Sequence, residues 1–234
     1  VLQDAALANQ MAALVNKTDG GKDGQAIPIM KINYDPDSAH ERGVWIVGQE
    51  KDGNGNIVEE GFEVAGFIML TSRHRYSLYD EKNPQNNCNS PFFIQARGVQ
   101  VKGYKHGFIC GKVCPHRDEN ANPRCKAQIV VFGVAITKDN KQIQCVAYLG
   151  GSAYMPASDF VNAITSVKAK TPQGFVTLPP FAFIVKLSSE KQKNKGTTYW
   201  VPIFQRGQMF NDMNVINDFA AKRDGALEYI DSMN

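Results

Sequence analysis

The sequence predicts a mainly β fold of the α+β class, and three observations carry that expectation. Apolar runs come in pairs across short turn signals, as hairpin strands do. One stretch of helical spacing interrupts the last two pairs, and another follows them. A long segment rich in Asn, Pro, Gly and Cys, residues 80–126, follows neither period. Strands joined by tight hairpins disfavour a parallel βαβ arrangement. The 234 residues are 43% hydrophobic and 10% aromatic, enough apolar material for a core in one large domain. A charged fraction of 21% sets the chain apart from disordered compositions.

Leu7, Met11, Leu14 and Val15 recur at helical spacing, which predicts a short amphipathic helix over 2–16. TDGGKDGQ (18–25) reads as a flexible linker. IPIMKINY (27–34) and GVWIVGQEK (43–51) read as strands, and Pro28, which has no N–H, puts the first at an edge. DGNGN (52–56) is a turn leading into further strand over 57–79. AQIVVFGVAIT (127–137) and QIQCVAYLG (142–150) form a hairpin over KDNK. ASDFVNAITSVKAK (157–170) predicts a helix capped by Ser158, with Phe160, Ile164 and Val167 on one face. FAFIVKLSS (181–189) and TTYWVPIFQ (197–205) pair around the basic loop EKQKNKG. A helix over 211–230 is capped by Asn211 or Asp212 and carries Ile216, Phe219, Ala220, Leu227 and Ile230 on one stripe.

The organisation expected is an N-terminal helix and linker (1–26), a β core (27–210) holding a metal-binding insertion (80–126), and a C-terminal helix (211–234). Short antiparallel strands with one intervening helix fit an OB-like antiparallel barrel with flanking helices. Other α+β sheets fit the same order.

Net charge is +3, which permits a nucleic-acid partner without demanding one, because binding depends on where the charge sits. No apolar run approaches the roughly 18–20 residues of a membrane span, so no membrane partner is expected. The first residues lack a basic region and a continuous apolar stretch, so they do not read as a secretory signal, and a cytoplasmic protein is expected. No phosphate-binding glycine loop, dinucleotide fingerprint, GxSxG or HExxH occurs, and the four histidines show no nucleophile spacing. The chain is therefore not expected to be an enzyme.

Of the five cysteines, four bracket or fill the irregular segment: Cys88, then Cys110 and Cys114 in CGKVCPHR, then Cys125. Thiolates separated by three intervening residues, with a further ligand after a turn, reach one tetrahedral ion. A long loop in a compact domain needs an organiser. Structural zinc (Zn2+) on Cys88, Cys110, Cys114 and Cys125 is the expectation, with His116 as the substitute ligand for Cys88. An iron–sulfur cluster and four uncoordinated thiols are the alternatives. Cys145 lies inside a strand and reads as a small core residue.

Cations also alternate with rings. Arg73, Arg75, Tyr76 and Tyr79 form one group, and Lys102, Tyr104 and Lys105 a second. Lys112 and Arg117 flank the cysteines, and Lys191, Lys193 and Lys195 precede Trp200. Single-stranded nucleic acid uses this mixture, cations for phosphates and flat rings for bases. Core packing is the competing role for strand aromatics. Tyr76, Tyr79 and Tyr104 lie in polar surroundings and are expected at the surface.

The metal knuckle CGKVCPHR…RCKAQ, the hairpin VVFGVAITKDNKQIQCVAYLGGSAYMP, a helix and the strand ending YWVPIFQ resemble single-stranded DNA-binding proteins of tailed phages. The resemblance spans about residues 27–230. It implies an OB-type core that binds single strands without strong sequence preference in replication, recombination or repair, with a zinc subdomain supporting the binding surface. It places the metal on the four cysteines above and DNA on the basic and aromatic residues. Replication or recombination proteins would be further partners, and oligomers would be possible. Such proteins commonly end in an acidic tail, whereas this sequence stops at LEYIDSMN. A zinc-stabilised structural or interaction module is the alternative, and a metal-dependent nucleic-acid enzyme a distant third.

Overall fold

The computed structural model describes residues 27–78, 88–89, 101–102, 109–110, 125–172, 174–194 and 196–232; for 88–89, 101–102, 109–110 and 228–232 it describes the backbone alone. The helix expected over 2–16 and its linker lie outside these residues. The elements in chain order are β1 (Met30–Ile32), β2 (Trp45–Val47), β3 (Glu50–Lys51), β4 (Ile57–Glu59), β5 (Phe62–Leu78), β6 (Cys88–Asn89), β7 (Val101–Lys102), β8 (Ile109–Cys110), β9 (Lys126–Thr137), β10 (Gln142–Gly150), α1 (Tyr154–Thr165), β11 (Lys168–Thr171), β12 (Gly174–Thr177), β13 (Phe183–Asn194), β14 (Thr197–Met209) and α2 (Met213–Ser232).

The α+β class is as expected: an antiparallel sheet with two helices. The 17-residue strand β5 organises it. One edge of β5 pairs with β9 from Val64 to Ser77, and β10 pairs with the far edge of β9. The other edge serves three partners in turn: β2 at Phe62–Glu63, β13 at Phe67, and β6 at Ser77–Leu78. A central strand shared this way makes a branched sheet. The closed barrel expected from the strand order is therefore not formed among the described residues. β1 approaches β10 through one parallel bridge, Ile29 to Val146.

Period-2 alternation separates two cores. Phe67, Met69, Ile129, Val131, Cys145, Ala147 and Leu149 point to the face covered by α1. Ile68, Leu70, Val134, Ile136 and Ile184 point to the face covered by α2, where Val215 and Phe219 meet them. Of the expected helical stripes, Ile164 and Phe219 are each 1% exposed and Phe160 packs against the α1-side core, whereas Val167 lies beyond the end of α1. Asp212 caps α2, its carboxylate accepting from the Asn214 N–H at 2.8 Å.

Three boundaries differ from expectation. The strand over 57–79 breaks at Gly61, whose φ is +75° and where a Cβ would stand 2.5 Å from the Val47 carbonyl oxygen. The first helix begins at Tyr154 and ends at Thr165, so Ser158 is inside it. Thr165 Oγ1 donates back to the Val161 carbonyl at 2.7 Å and Ser166 Oγ to that of Ala163 at 2.9 Å. Residues 168–170, expected as the helix's last turn, instead belong to β11, which pairs with 174–177 as a small hairpin. Finally, EKQKNKG is not a loop. The ladder runs on to Asn194 opposite Thr197, and Gly196, just before Thr197, has φ +84°.

Candidate nucleic-acid interface

β13 and β14 continue past their ladder contact with β5 as a two-stranded arm. Lys191 stands opposite Trp200 and Lys193 opposite Thr198. Opposed residues share a face, with Cβ atoms about 4.5–5.5 Å apart. The Lys191 ammonium lies 6.0 Å from the Trp200 ring centre, at the outer limit of a cation–π contact. Both lysines are exposed and the indole is half-buried. The 33–44 loop sets the indole in place. Gly43 has φ +92°, and a Cβ there would be 2.6 Å from Trp200 Cε3. The Tyr34 hydroxyl donates to the Trp200 carbonyl at 2.8 Å, and the Ser189 hydroxyl donates to the Gly43 carbonyl. Buried Asn33 ties the loop, donating from Nδ2 to the His40 carbonyl at 2.7 Å.

The 168–177 hairpin repeats this pattern on a smaller scale. Lys170 stands opposite Phe175 and Lys168 opposite Thr177. Phe175 is 72% exposed and Val176 52%. Among the described residues no ion pair engages Lys168, Lys170, Lys191 or Lys193. None of this small hairpin was named as a site from sequence. Its signal was the TPQG turn between KAKT and FVT, obscured because Val167 prolongs the helical stripe.

The Arg73–Tyr79 group divides by strand alternation. Arg75 pairs with Gln128 and Arg73 with Val130, whereas His74 and Tyr76 pair with Ile129 and Ala127. Arg75 lies 4.8 Å from the centre of the Tyr148 ring, and its Nε donates to Gln128 Oε1 at 2.7 Å. On the opposite face, His74 Nδ1 is 3.5 Å from the Tyr154 hydroxyl, and burial lowers the His74 pKa. Tyr76 is 7% exposed. Its expected surface position is corrected: it is a core residue beside Leu78, because both lie on the inward side of β5. Lys102 is described in backbone alone; Tyr79, Tyr104, Lys105, Lys112, Arg117 and Lys195 lie outside the described residues.

A family model described as Pam3 phage gp34-like protein matches residues 67–222, more than half of the chain. The chain belongs to this family. No curated protein and no solved structure matches it. The phage part of the resemblance therefore stands, and the family description gives no activity. Among the described residues, no helix of this gp34-like protein is long and apolar enough to cross a membrane.

All five cysteines fall inside the matched region. Cys114 and His116 lie outside the described residues, and Cys88 and Cys110 are described in backbone alone. The backbone course is informative nonetheless. Cys88 pairs with Leu78 on one edge of β5, while Ser77 pairs with Lys126, the neighbour of Cys125, on the other. Two of the four candidate ligands thus flank the same strand end. Among the described residues no three metal-binding side chains gather.

Cys145 is a core residue, as expected, at 2% exposure. Burial pushes its thiol pKa up to about 12. Since the thiolate is the nucleophile, alkylation in mildly alkaline buffer is expected to spare Cys145 in the folded protein and modify it in denaturant. Peptide mass mapping reads this directly, and rapid native labelling would contradict the burial.

Proposed function

We propose that this gp34-like phage protein binds single-stranded DNA without strong sequence preference. One observation carries the reading: two hairpins each place a solvent-exposed lysine directly across the ladder from an aromatic ring, Lys191 from Trp200 and Lys170 from Phe175. A cation reaches a phosphate while the ring on the same face stacks a base, and neither contact depends on which base is present. The bridge between Ile29 and Val146 supports an OB-like curl of the sheet without closure.

The test is fluorescence anisotropy of a labelled oligo-dT across a salt series, with duplex as control. Preference for the single strand is expected, with log K falling by about 0.7 per phosphate contact for each decade of salt. Phe175→Ala leaves the core untouched and is expected to weaken binding roughly fivefold to a hundredfold, the loss of one stacked base. Absence of single-strand binding at low salt would sink the proposal. Such a result would favour a protein-interaction module. One observation already leans that way: Tyr199, Val201 and Ile203 line the other face of the arm, half-buried yet outside the described core clusters.

The proposal includes one structural zinc ion held by Cys88, Cys110, Cys114 and Cys125, with His116 in reserve. What supports it is the backbone placement of Cys88 and Cys125 on either side of one strand end. Lys112, Arg117, Arg124 and Lys126 bring positive charge to offset the thiolates. Elemental analysis of purified protein is expected to find one equivalent of zinc per chain. Iron would point to a cluster, and the absence of metal would overturn this part.

A further inference from the structure

We propose that Arg75, stacked on Tyr148 and held by Gln128, forms a phosphate-binding site at one end of the sheet face on which α2 packs, separate from the two hairpins. It goes beyond the single-strand reading and does not require it.

The register builds the site. Arg75 is opposite Gln128 and Arg73 opposite Val130, which is in turn opposite Tyr148. Opposed residues share a face, so three adjacent strands bring Arg73, Arg75, Gln128 and Tyr148 together. The bond from Nε to Gln128 fixes one edge of the Arg75 guanidinium, and the ring 4.8 Å away fixes its plane. Its two terminal nitrogens are left without a hydrogen-bond partner among the described residues. That is the donor pair which grips two oxygens of one phosphate.

The charge balance points the same way. The residues of this face at this end are Thr71, Arg73, Arg75 and Ser77 from β5, Lys126, Gln128, Val130 and Phe132 from β9, and Val146, Tyr148 and Gly150 from β10. None is acidic. The acidic groups described on α2, Asp218 and Asp224, pair with Lys222 and Arg223 of the same helix. Half-burial lowers the Arg75 pKa, as expected for a cation set among neutral groups. An anion would compensate that desolvation. Tyr148, at 39% exposure, leaves the site open to solvent. A purely structural guanidinium stacked on a tyrosine would also be stable, and it would show no preference for phosphate over chloride.

Calorimetric titration of the full chain with inorganic phosphate, at ionic strength matched with chloride, separates the two. Saturable binding is expected, weakened about tenfold or more in Arg75→Gln and Tyr148→Leu. Arg75→Lys keeps the charge without the fork and is expected to lose most of the affinity. Thermal midpoints without phosphate identify any variant that fails to fold, and Tyr148→Leu then decides. If phosphate also displaces oligo-dT, the site takes the phosphodiester of a strand. If oligo-dT binding ignores both phosphate and Arg75→Gln, the ligand is a small phosphate ester. Either result supports the site. Loss of oligo-dT binding in Phe175→Ala with phosphate binding intact shows that the two readings are independent. No phosphate heat above chloride, or equal heat in wild type and both variants, would overturn the proposal.

Discussion

Phe219→Ala is expected to lower the stability of the fold by about 3–5 kcal/mol, the range for truncating a buried aromatic. Phe219 is 1% exposed and stands where α2 docks on the sheet. Its ring tilts against Phe210 with centres 5.6 Å apart. Ile68, Leu70, Val134, Ile136 and Ile184 form the surface beneath. These side chains come from three strands, so the cavity left by truncation could not collapse without moving the sheet. The Lys222 ammonium also lies 5.3 Å from the Phe219 ring centre, with Asp218 as its ion-pair partner. Phe219→Leu fills most of the volume and is expected to cost less than half as much. Met213, 62% exposed on the same helix, serves as control, since Met213→Ala should change stability by no more than about 0.5 kcal/mol. Urea melts give all three values. A loss below about 1 kcal/mol for Phe219→Ala would mean that α2 contributes little to holding the sheet.

That residue was visible in the sequence because helical spacing repeats over several turns. The same holds for the hairpin of β9 and β10, whose apolar runs end sharply at a turn. Asn140 there adopts φ +61°, a conformation Asn tolerates, and the Thr137 hydroxyl accepts from the Lys141 N–H at 3.0 Å. Where burial does not impose a pattern, less can be read. Residues 190–194 are wholly polar, and their strand is held by backbone ladder bonds that leave no hydrophobic period. Residues 168–177 form a hairpin that buries little, so Lys170 and Phe175 came together without warning. Tyr76 is a different case. The segment reads as strand, but Arg73, His74 and Arg75 give Tyr76 polar neighbours that suggest exposure. Yet strict alternation from Leu78 back to Tyr76 and His74 already assigned those three to one side. Local polarity outweighed period, and period was right. The branching of the sheet lay beyond reach altogether, because it depends on which distant strands share the edge of β5.

Gly133→Ala is expected to cost about 3 kcal/mol or more, at or above the upper end of the usual range for overpacking. A methyl group is a small addition, so the size of the effect rests on position. Gly133 sits mid-strand in β9, opposite Met69 of β5 and Cys145 of β10. A Cβ there would fall on the ring of Phe67 and on the carbonyl oxygen of Ile68, closer than ordinary Cβ contacts allow. The ring is 3% exposed and packed within the α1-side core, and the oxygen belongs to the backbone of the central strand. Rotamer changes could relieve only the first collision. Phe67→Leu in the same chain should therefore recover part of the loss, and the double variant should be less unstable than the sum of the single variants. Strict additivity would show that the Phe67 ring is not the obstacle and would leave the Ile68 carbonyl as the sole cause. Stability within about 1 kcal/mol of wild type in Gly133→Ala alone would contradict the close approach of β5 to β9 on which both cores depend.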